Sequence, residues 1–195
     1  MKINAGSYVL PYFGYHEAGD LVYTYRNDTQ FAMGIFDVTG HGTEAAKVAN
    51  TIRTWLPEID PFNPTQLLTK SHEFLLAGMG SAVAVAVCID LKKESLLMSG
   101  VGNVECWLYS RGKSTSFLAK PGLLGDTLPR LITVEEKLTH GDAIVIVSDG
   151  VRFAGQKGGL ELMRYSPEDM ANKIVRQFGR KTDDVSCVVA RCEDD

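Results

Sequence analysis

The stretch FDVTGHG, residues 36–42, decides how this sequence folds. It continues FAMGIF, an apolar run of strand-forming residues, so Asp37 lies where a buried strand meets solvent. Gly40 and Gly42 then permit a tight turn that no strand could continue through. From Thr43 the apolar residues recur with helical spacing. A carboxylate at the end of a buried strand needs a partner, and the rest of the sequence must supply it.

Length and composition narrow the classes of protein to consider. The 195 residues are 45% hydrophobic, enough for one substantial core, so we expect a single domain over residues 1–195. A net charge of −4 provides no basic field for a nucleic acid backbone. No apolar run is long enough for a transmembrane helix, and the first residues do not resemble a signal peptide. We therefore expect a cytoplasmic protein with neither nucleic acid nor membrane as partner.

Strand and helix patterns alternate irregularly along the chain. One helix is predicted from Thr43 to the residue before Pro57, a second begins after an Asn63 cap, and a third runs from a Ser166 cap to Gly179. The early strand-like runs suit hairpins. This order lacks the regular alternation of a parallel βαβ protein and favours an α+β fold with helices outside antiparallel sheets. The strand-like runs are SYVLPYF, LVYTYR, FAMGIFDV, SAVAVAVCID, SLLMSGVGNVECWLYSRG, STSFLA, AIVIVSD and VSCVVARC.

The four cysteines lie in or beside apolar, strand-like runs, and no two form a CxxC pair. Free cysteine is among the most buried residue types, so buried reduced thiols are predicted rather than metal ligands. The residues are Cys88, Cys106, Cys187 and Cys192.

Four aspartates share one kind of position, the boundary between an apolar strand and a turn. Asp37, Asp149 and Asp183 are three of them, and Asp20 precedes the strand LVYTYR. Acidic residues are common in turns, where they bind backbone amides, and each could be no more than that. If the four converge, their mutual repulsion raises their pKa values unless a cation neutralises them. An all-oxygen ligand set favours Mg²⁺ or Mn²⁺ over zinc.

Four motifs together resemble a known family. GD at 19–20, DVTGHG at 37–42, GDAIVIVSDG at 141–150 and TDDVSCVVA at 182–190 are similar, in order and spacing, to the metal-dependent serine/threonine protein phosphatases called PPM or type 2C. The similarity is greatest to the compact bacterial SpoIIE-like subgroup. It implies a four-layer αββα sandwich, with two antiparallel β-sheets flanked by helices and a metal site at one end.

The resemblance also implies roles for individual residues around two Mn²⁺ or Mg²⁺ ions. Asp37 resembles the carboxylate that touches both ions, and the carbonyl of Val38 completes part of the second site. Asp149 and Asp183 resemble the remaining ligands of the first ion, whereas Asp20 acts through metal-bound water. In that chemistry water attacks a phosphoserine or phosphothreonine directly, and no side-chain nucleophile is needed.

Two further residues and one absence mark departures from the type 2C pattern. His41 lies four residues after Asp37 rather than two, so general acid or phosphate-orienting roles stay open beside turn packing or hydrogen bonding at the helix start. Asp184, adjacent to Asp183, is expected to support the ligands rather than to bind metal directly. The phosphate-binding arginine of many type 2C enzymes has no counterpart before Asp20.

The partners follow from the same resemblance. The short chain and GVGNVECWLYS, which ends at Ser110, are most similar to stressosome feedback phosphatases. This implies that the substrates are STAS-domain stressosome proteins phosphorylated by an opposing serine/threonine kinase. Two alternatives stay open: a catalytically weak binding module with the same fold, and a hydrolase of a small phosphoester.

Overall fold

The computed structural model describes residues 1–153 and 158–194, which form two five-stranded sheets in which all neighbouring strands are antiparallel. The first sheet has the order β1-β10-β9-β6-β7. Its strands are β1 (Lys2–Leu10), β6 (Glu105–Ser110), β7 (Lys113–Phe117), β9 (Ala143–Val147) and β10 (Val185–Glu193). The second sheet has the order β2-β3-β4-β5-β8. Its strands are β2 (Asp20–Arg26), β3 (Gln30–Val38), β4 (Ala82–Asp90), β5 (Ser95–Val101) and β8 (Val134–Lys137).

Four α-helices lie among the described residues. The first two, α1 and α2, follow β3 and are separated by a short 3₁₀ turn at Leu56–Glu58. The other two lie between β9 and β10. The helices are α1 (Thr43–Trp55), α2 (Pro64–Leu75), α3 (Gly158–Leu162) and α4 (Pro167–Phe178).

Three apolar clusters stack these elements into four layers. The central cluster lies between the sheets and joins, for example, Ile35 of β3 to Ile146 of β9. A second cluster packs α1 and α2 against the outer face of the β2–β5 sheet, and a third packs α4 against β9 and β10. The predicted αββα sandwich of two antiparallel sheets is therefore confirmed.

The helix boundaries agree with the capping signals in the sequence. The Asn63 side chain accepts a hydrogen bond from the Gln66 amide, and the Ser166 hydroxyl accepts one from the Asp169 amide. Each cap satisfies an amide that the first helical turn leaves without a backbone acceptor. A proline occupies the first helical position after both caps, as the sequence predicts.

The expected pairing of the first strand was wrong. The early runs suggested neighbouring hairpins, but β1 pairs with β10 along its whole length, from Lys2 opposite Glu193 to Leu10 opposite Val185. The strand also ends at Leu10 rather than continuing to Phe13, because Pro11 has no amide hydrogen for the ladder. Only β2, β3, β4 and β5 follow one another as neighbours in the second sheet.

Two short elements were not predicted, and one helix end differs in detail. The strand β8 has four residues, VEEK, and α3 begins at two glycines, so neither carries a clear periodic signal. Gly179 does end α4, but with extended dihedral angles (φ −68°, ψ 139°) rather than in the left-handed conformation. Glycine is needed there because a Cβ atom would lie 2.4 Å from the carbonyl oxygen of Val175.

All four cysteines are buried and free, which confirms that prediction. Across residues 1–153 and 158–194, no helix has both the length and the apolar character needed to cross a membrane.

Gly6 shows how closely α4 packs on β1. A Cβ atom at Gly6 would lie 2.3 Å from the Glu168 nitrogen, so the helix backbone rests directly on the strand. We predict that Gly6→Ala destabilises the fold by about 2–4 kcal/mol, because either the helix or the strand must move. Thermal and urea unfolding would measure this loss. Ser7→Ala on the next residue is the control, and equal stability of the two variants would contradict the close packing.

Candidate metal centre

Strand pairing places two of the aspartates face to face. Asp20 begins β2 and lies directly opposite Asp37 on β3. Residues opposite each other in an antiparallel pair have Cβ atoms about 5 Å apart. Asp37 is followed by Val38, the last residue of β3, which pairs with Ala82 of β4. Two carboxylates therefore share one end of the second sheet.

The first sheet brings its own aspartates to the same end. Asp149 follows β9, and Asp183 and Asp184 precede β10, its neighbour. The Ser148 amide donates to the Ser186 carbonyl oxygen over 3.1 Å, which joins the two strand ends. Gly150 permits the close fit, since a Cβ atom there would lie 2.0 Å from the Asp184 carbonyl oxygen. The glycine of the SDG motif thus holds Asp149 beside Asp183 and Asp184.

The pKa values of the facing pair show how closely the acids cluster. Burial and then, in that order, the charges of Asp20, Asp149, Asp183 and Asp184 together raise the pKa of Asp37 to about 9. The pKa of Asp20 is raised to about 7, chiefly by burial and also by the charges of Asp184 and Asp183, while the side chains of Ser148 and Ser186 oppose the rise. Carboxylates from both sheets therefore act on one another, and the fold assembles them with mutual repulsion.

Asp183 lies closer to solvent but responds to the same charges. Burial, followed by the charge of Asp149, raises its pKa, whereas a hydrogen bond from the Asp184 amide and the nearby His41 lower it. That amide donates to the Asp183 Oδ1 atom over 3.0 Å. His41 is therefore close enough to Asp183 for its charge to lower the pKa of that carboxyl.

His41 itself is exposed and packs on aromatic rings. Its ring centroid lies 4.5 Å from that of Tyr12 and 5.9 Å from that of Tyr15. The chain reaches this position through Gly40 and Gly42, which have φ angles of 91° and 76°. A Cβ atom at Gly42 would lie 2.4 Å from the Tyr15 ring. Of the roles that the sequence left open for His41, the structure directly shows turn packing.

The Asp184 side chain is hydrogen-bonded to the loop before β2. Its Oδ1 atom accepts a hydrogen bond from the Tyr12 amide over 2.7 Å, and its Oδ2 atom accepts one from the Gly19 amide over 2.8 Å. The side chain is buried, so these two bonds replace solvent. Asp184 therefore fixes the loop that leads into Asp20 and keeps neither oxygen free of a hydrogen bond.

The residues fit a hard divalent cation by chemistry, although their side chains are not yet arranged as ligands. Among residues 1–153 and 158–194, no group of three or more His, Cys, Asp or Glu side chains is placed so that it could hold a metal ion. The Asp149 Oδ2 atom accepts a 2.6 Å hydrogen bond from the Asn103 side chain. The Asp20 Oδ2 atom, by contrast, is buried and has no hydrogen-bond partner among the residues that the structure describes. Such an orphaned oxygen beside repelling carboxylates suits a cation.

Sequence reasoning missed the residues that position these acids. Asn103 contacts Asp149 and Tyr12 contacts Asp184, while the side chains of Ser148 and Ser186 lower the pKa of Asp20. The available signal was a serine at each strand end: Ser148 in the SDG motif after β9, and Ser186 in the DDVS motif at the start of β10. Asn103 lies in the turn before β6 and carries no local signal for a contact with a residue 46 positions away.

Several solved structures share this architecture. A chain from work on the bacterial stressosome as a modular system adapted to control secondary messenger signalling is 27% identical, with 98% of this chain and 100% of that chain covered and a TM-score of 0.88. RsbX in complex with magnesium is 17% identical, with coverage of 97% and 94% and a TM-score of 0.83. The phosphatase domain of SpoIIE from Bacillus subtilis, solved with a fragment of its regulatory domain, is 19% identical, with coverage of 98% and 63% and a TM-score of 0.78. No curated protein sequence is similar enough to match.

The fold and the carboxylate cluster define the class of protein as metal-dependent serine/threonine phosphatases of the PPM, or type 2C, kind. The chain belongs to the SpoIIE family, since the model of Stage II sporulation protein E matches residues 27–193. It is therefore an enzyme of that class, as the resemblance of its motifs implied.

The raised pKa of Asp37 predicts opposite effects of Asp37→Asn with and without metal. A folded-state pKa above the unfolded value gives stability that is complete below about pH 4 and is lost as the pH rises toward 9. In chelator at pH 8, Asp37→Asn should therefore be more stable than the wild type by about 1–3 kcal/mol. In saturating Mn²⁺ the wild type should gain more stability than the variant, because the variant lacks a ligand. Thermal unfolding in both buffers measures this, and a destabilised variant in chelator would contradict it.

The two hydrogen bonds to Asp184 predict a local effect of its removal. Asp184→Ala leaves the amides of Tyr12 and Gly19 without their acceptor and should cost about 2–4 kcal/mol of unfolding free energy. Hydrogen exchange should quicken at these two amides beyond the general change. Unchanged protection there would show that Asp184 does not hold the loop.

Proposed function

We propose that residues 1–195 form one cytoplasmic catalytic domain that removes phosphate from phosphoserine or phosphothreonine in a protein, using two divalent ions, Mg²⁺ or Mn²⁺. The observation that carries this proposal is the raised pKa of Asp37. Burial raises it most, followed by the charges of four aspartates that come from both sheets. A fold that concentrates buried carboxylates in this way needs cations to be stable when they are ionised.

The ligand assignments extend this observation residue by residue. We assign Asp37 as a ligand of both ions, the carbonyl of Val38 to the second ion, and Asp149 and Asp183 to the first ion. Asp20, on the facing strand, would contribute mainly through metal-bound water. Two such ions, when bound, lower the pKa of water and neutralise the oxygens of a phosphoryl group.

The remaining side chains in this region hold the acids in place. Asn103 orients Asp149, and Asp184 fixes the loop that ends at Asp20. His41 stands at the rim, placed by its contact with Tyr12. Each acts by holding a ligand or a loop, which keeps the reacting geometry constant.

Water rather than a side chain is proposed as the nucleophile. The four thiols are buried, and burial raises the pKa of each, for example that of Cys88 to about 11. A thiol with a raised pKa is a poor nucleophile near neutral pH. Ser148 and Ser186, whose side chains act on the pKa of Asp20, are both buried.

The substrate class rests on the proteins that this chain resembles. One similar structure comes from work on the stressosome, and another is RsbX. A third contains the RsbU and RsbW domains of Rv1364c from Mycobacterium tuberculosis. We propose that the substrates are phosphorylated STAS-domain proteins of a stressosome or partner-switching system and that a serine/threonine kinase opposes this enzyme.

Phosphate release tests both the chemistry and the substrate. The wild type should release phosphate from a serine-phosphorylated STAS-domain protein in Mn²⁺ or Mg²⁺ and lose this activity in chelator. Asp37→Asn and Asp149→Asn should each lower kcat/KM by at least about 100-fold, because each removes a proposed ligand. Asp28→Asn is the matched control, since Asp28 lies in the turn between β2 and β3 at the far end of the strands.

The outcomes separate the alternatives. Release from a generic phosphoester but not from the phosphoprotein would keep the metal chemistry and discard the partner. Faster turnover of a nucleotide or another small phosphoester would favour the small-substrate hydrolase. No turnover of either substrate by the metal-loaded wild type would leave the binding module as the better description.

A further inference from the structure

A groove with exposed apolar and basic walls lies beside the metal centre. It has a volume of about 460 Å³ and runs between the loop that follows β1 and the end of α4. The side chains that give it its character are Leu10, Phe13, Tyr15, Arg176, Arg180 and Lys181. From this groove we infer that the enzyme binds an acidic segment with apolar side chains, next to the phosphorylated residue of its protein substrate. This inference rests on the proposed phosphatase function and names the substrate feature that the same site reads.

The apolar wall is unusually open to solvent. Phe13 is 82% exposed, Leu10 44% and Tyr15 42%, and all three fall within six consecutive positions of the chain. Exposed aromatic and aliphatic side chains grouped in one place are a common mark of a protein-binding surface. A single exposed apolar side chain is ordinary on a protein surface, whereas three grouped along one groove indicate a binding surface.

The opposite wall carries positive charge. Arg176, Arg180 and Lys181 are exposed, and none of the residues that line the groove is acidic. Among the described residues, no carboxylate forms an ion pair with Arg180 or Lys181. The protein as a whole has a net charge of −4, so this cationic wall runs against the overall charge. Charge complementarity therefore selects an acidic partner for this groove.

Arg176 is held ready for such a partner. Its Nε atom donates to the Asn172 side chain over 2.9 Å, and one Nη atom donates to the Tyr8 hydroxyl over 2.8 Å. The guanidinium carbon also lies 5.3 Å from the centroid of the Tyr8 ring. A side chain fixed in this way loses little conformational entropy when a carboxylate binds to its remaining donors.

Both walls are attached to the metal centre by hydrogen bonds. The Arg180 amide donates to the Gly150 carbonyl oxygen over 2.8 Å, beside Asp149. The Tyr12 amide donates to Asp184, and the Tyr12 ring supports His41. Lys181 precedes Asp183 by two residues. A chain lying in the groove would therefore reach the carboxylate cluster within a few residues, which places the acidic segment next to the phosphorylated residue.

Two synthetic phosphoserine peptides test this preference. One carries glutamate and leucine on both sides of the phosphoserine, and the other has lysine in place of each glutamate. The wild type should show a kcat/KM for the acidic peptide at least about tenfold above that for the basic peptide. The double variant Arg180→Glu with Lys181→Glu should reverse this preference.

Phe13→Ala tests the apolar wall of the groove. It should lower kcat/KM for the acidic peptide about fivefold by removing an exposed anchor.

A matched charge reversal controls for net charge. Lys92→Glu with Lys113→Glu changes the charge equally; Lys92 lies in the turn after β4 and Lys113 begins β7, both at the ends of these strands away from the aspartates. This control should keep the wild-type preference. Equal rates on the two peptides in the wild type would overturn the inference. The inference would also be overturned if the double variant lost activity on both peptides to the same extent.

A binding measurement separates this inference from the proposed function. Fluorescence anisotropy of the same two labelled peptides reads the groove without turnover. If the wild type released no phosphate yet bound the acidic peptide more tightly, and the double variant bound it more weakly, the groove would stand and the phosphatase proposal would fall. Equal binding of both peptides would overturn the inferred preference for an acidic segment, whether or not the enzyme released phosphate.

Discussion

Repulsion among buried carboxylates is the constraint on which this structure depends. Among the described residues, the two sheets bring these aspartates together where β2, β3, β9 and β10 begin or end. Holding these acids in place requires close backbone contacts, such as Gly150 against Asp184, and buried amides that bind the Asp184 side chain. These close contacts and hydrogen bonds thus oppose charges that would otherwise separate.

The sequence predicted the parts of this arrangement that follow from local pattern. Apolar runs indicated most strands, and Asn63 and Ser166 marked two helix starts, because capping and periodicity act within a few residues. The aspartates could be selected since each ends or begins a buried strand. Pairing of β1 with β10 could not be predicted, because nothing near Tyr8 indicates that Cys187 lies opposite it. The strand VEEK was missed because its charged residues carry no apolar alternation.

The supporting contacts of the site were beyond sequence reasoning for the same physical reason. Asn103 meets Asp149, and Tyr12 meets Asp184, across separations of 46 and 172 residues. The family resemblance gave the aspartates in their order but did not include these partners. The surface beside the site also emerged only in three dimensions, because Phe13 and Arg180 come from opposite ends of the sequence. The proposed substrate groove and the proposed ligands are therefore positioned by the same loops.

The pairing of β1 with β10 has a consequence for how the chain folds. β10 lies between β1 and β9 in its sheet, so the first strand has no neighbour until residues beyond 185 have been synthesised. During translation the β2–β5 sheet and its two helices can form early, whereas β1 must wait exposed for its partner. Contacts of such long sequence separation slow folding. The two halves of the aspartate cluster therefore meet at a late step, and an incomplete nascent chain holds only Asp20 and Asp37 in register.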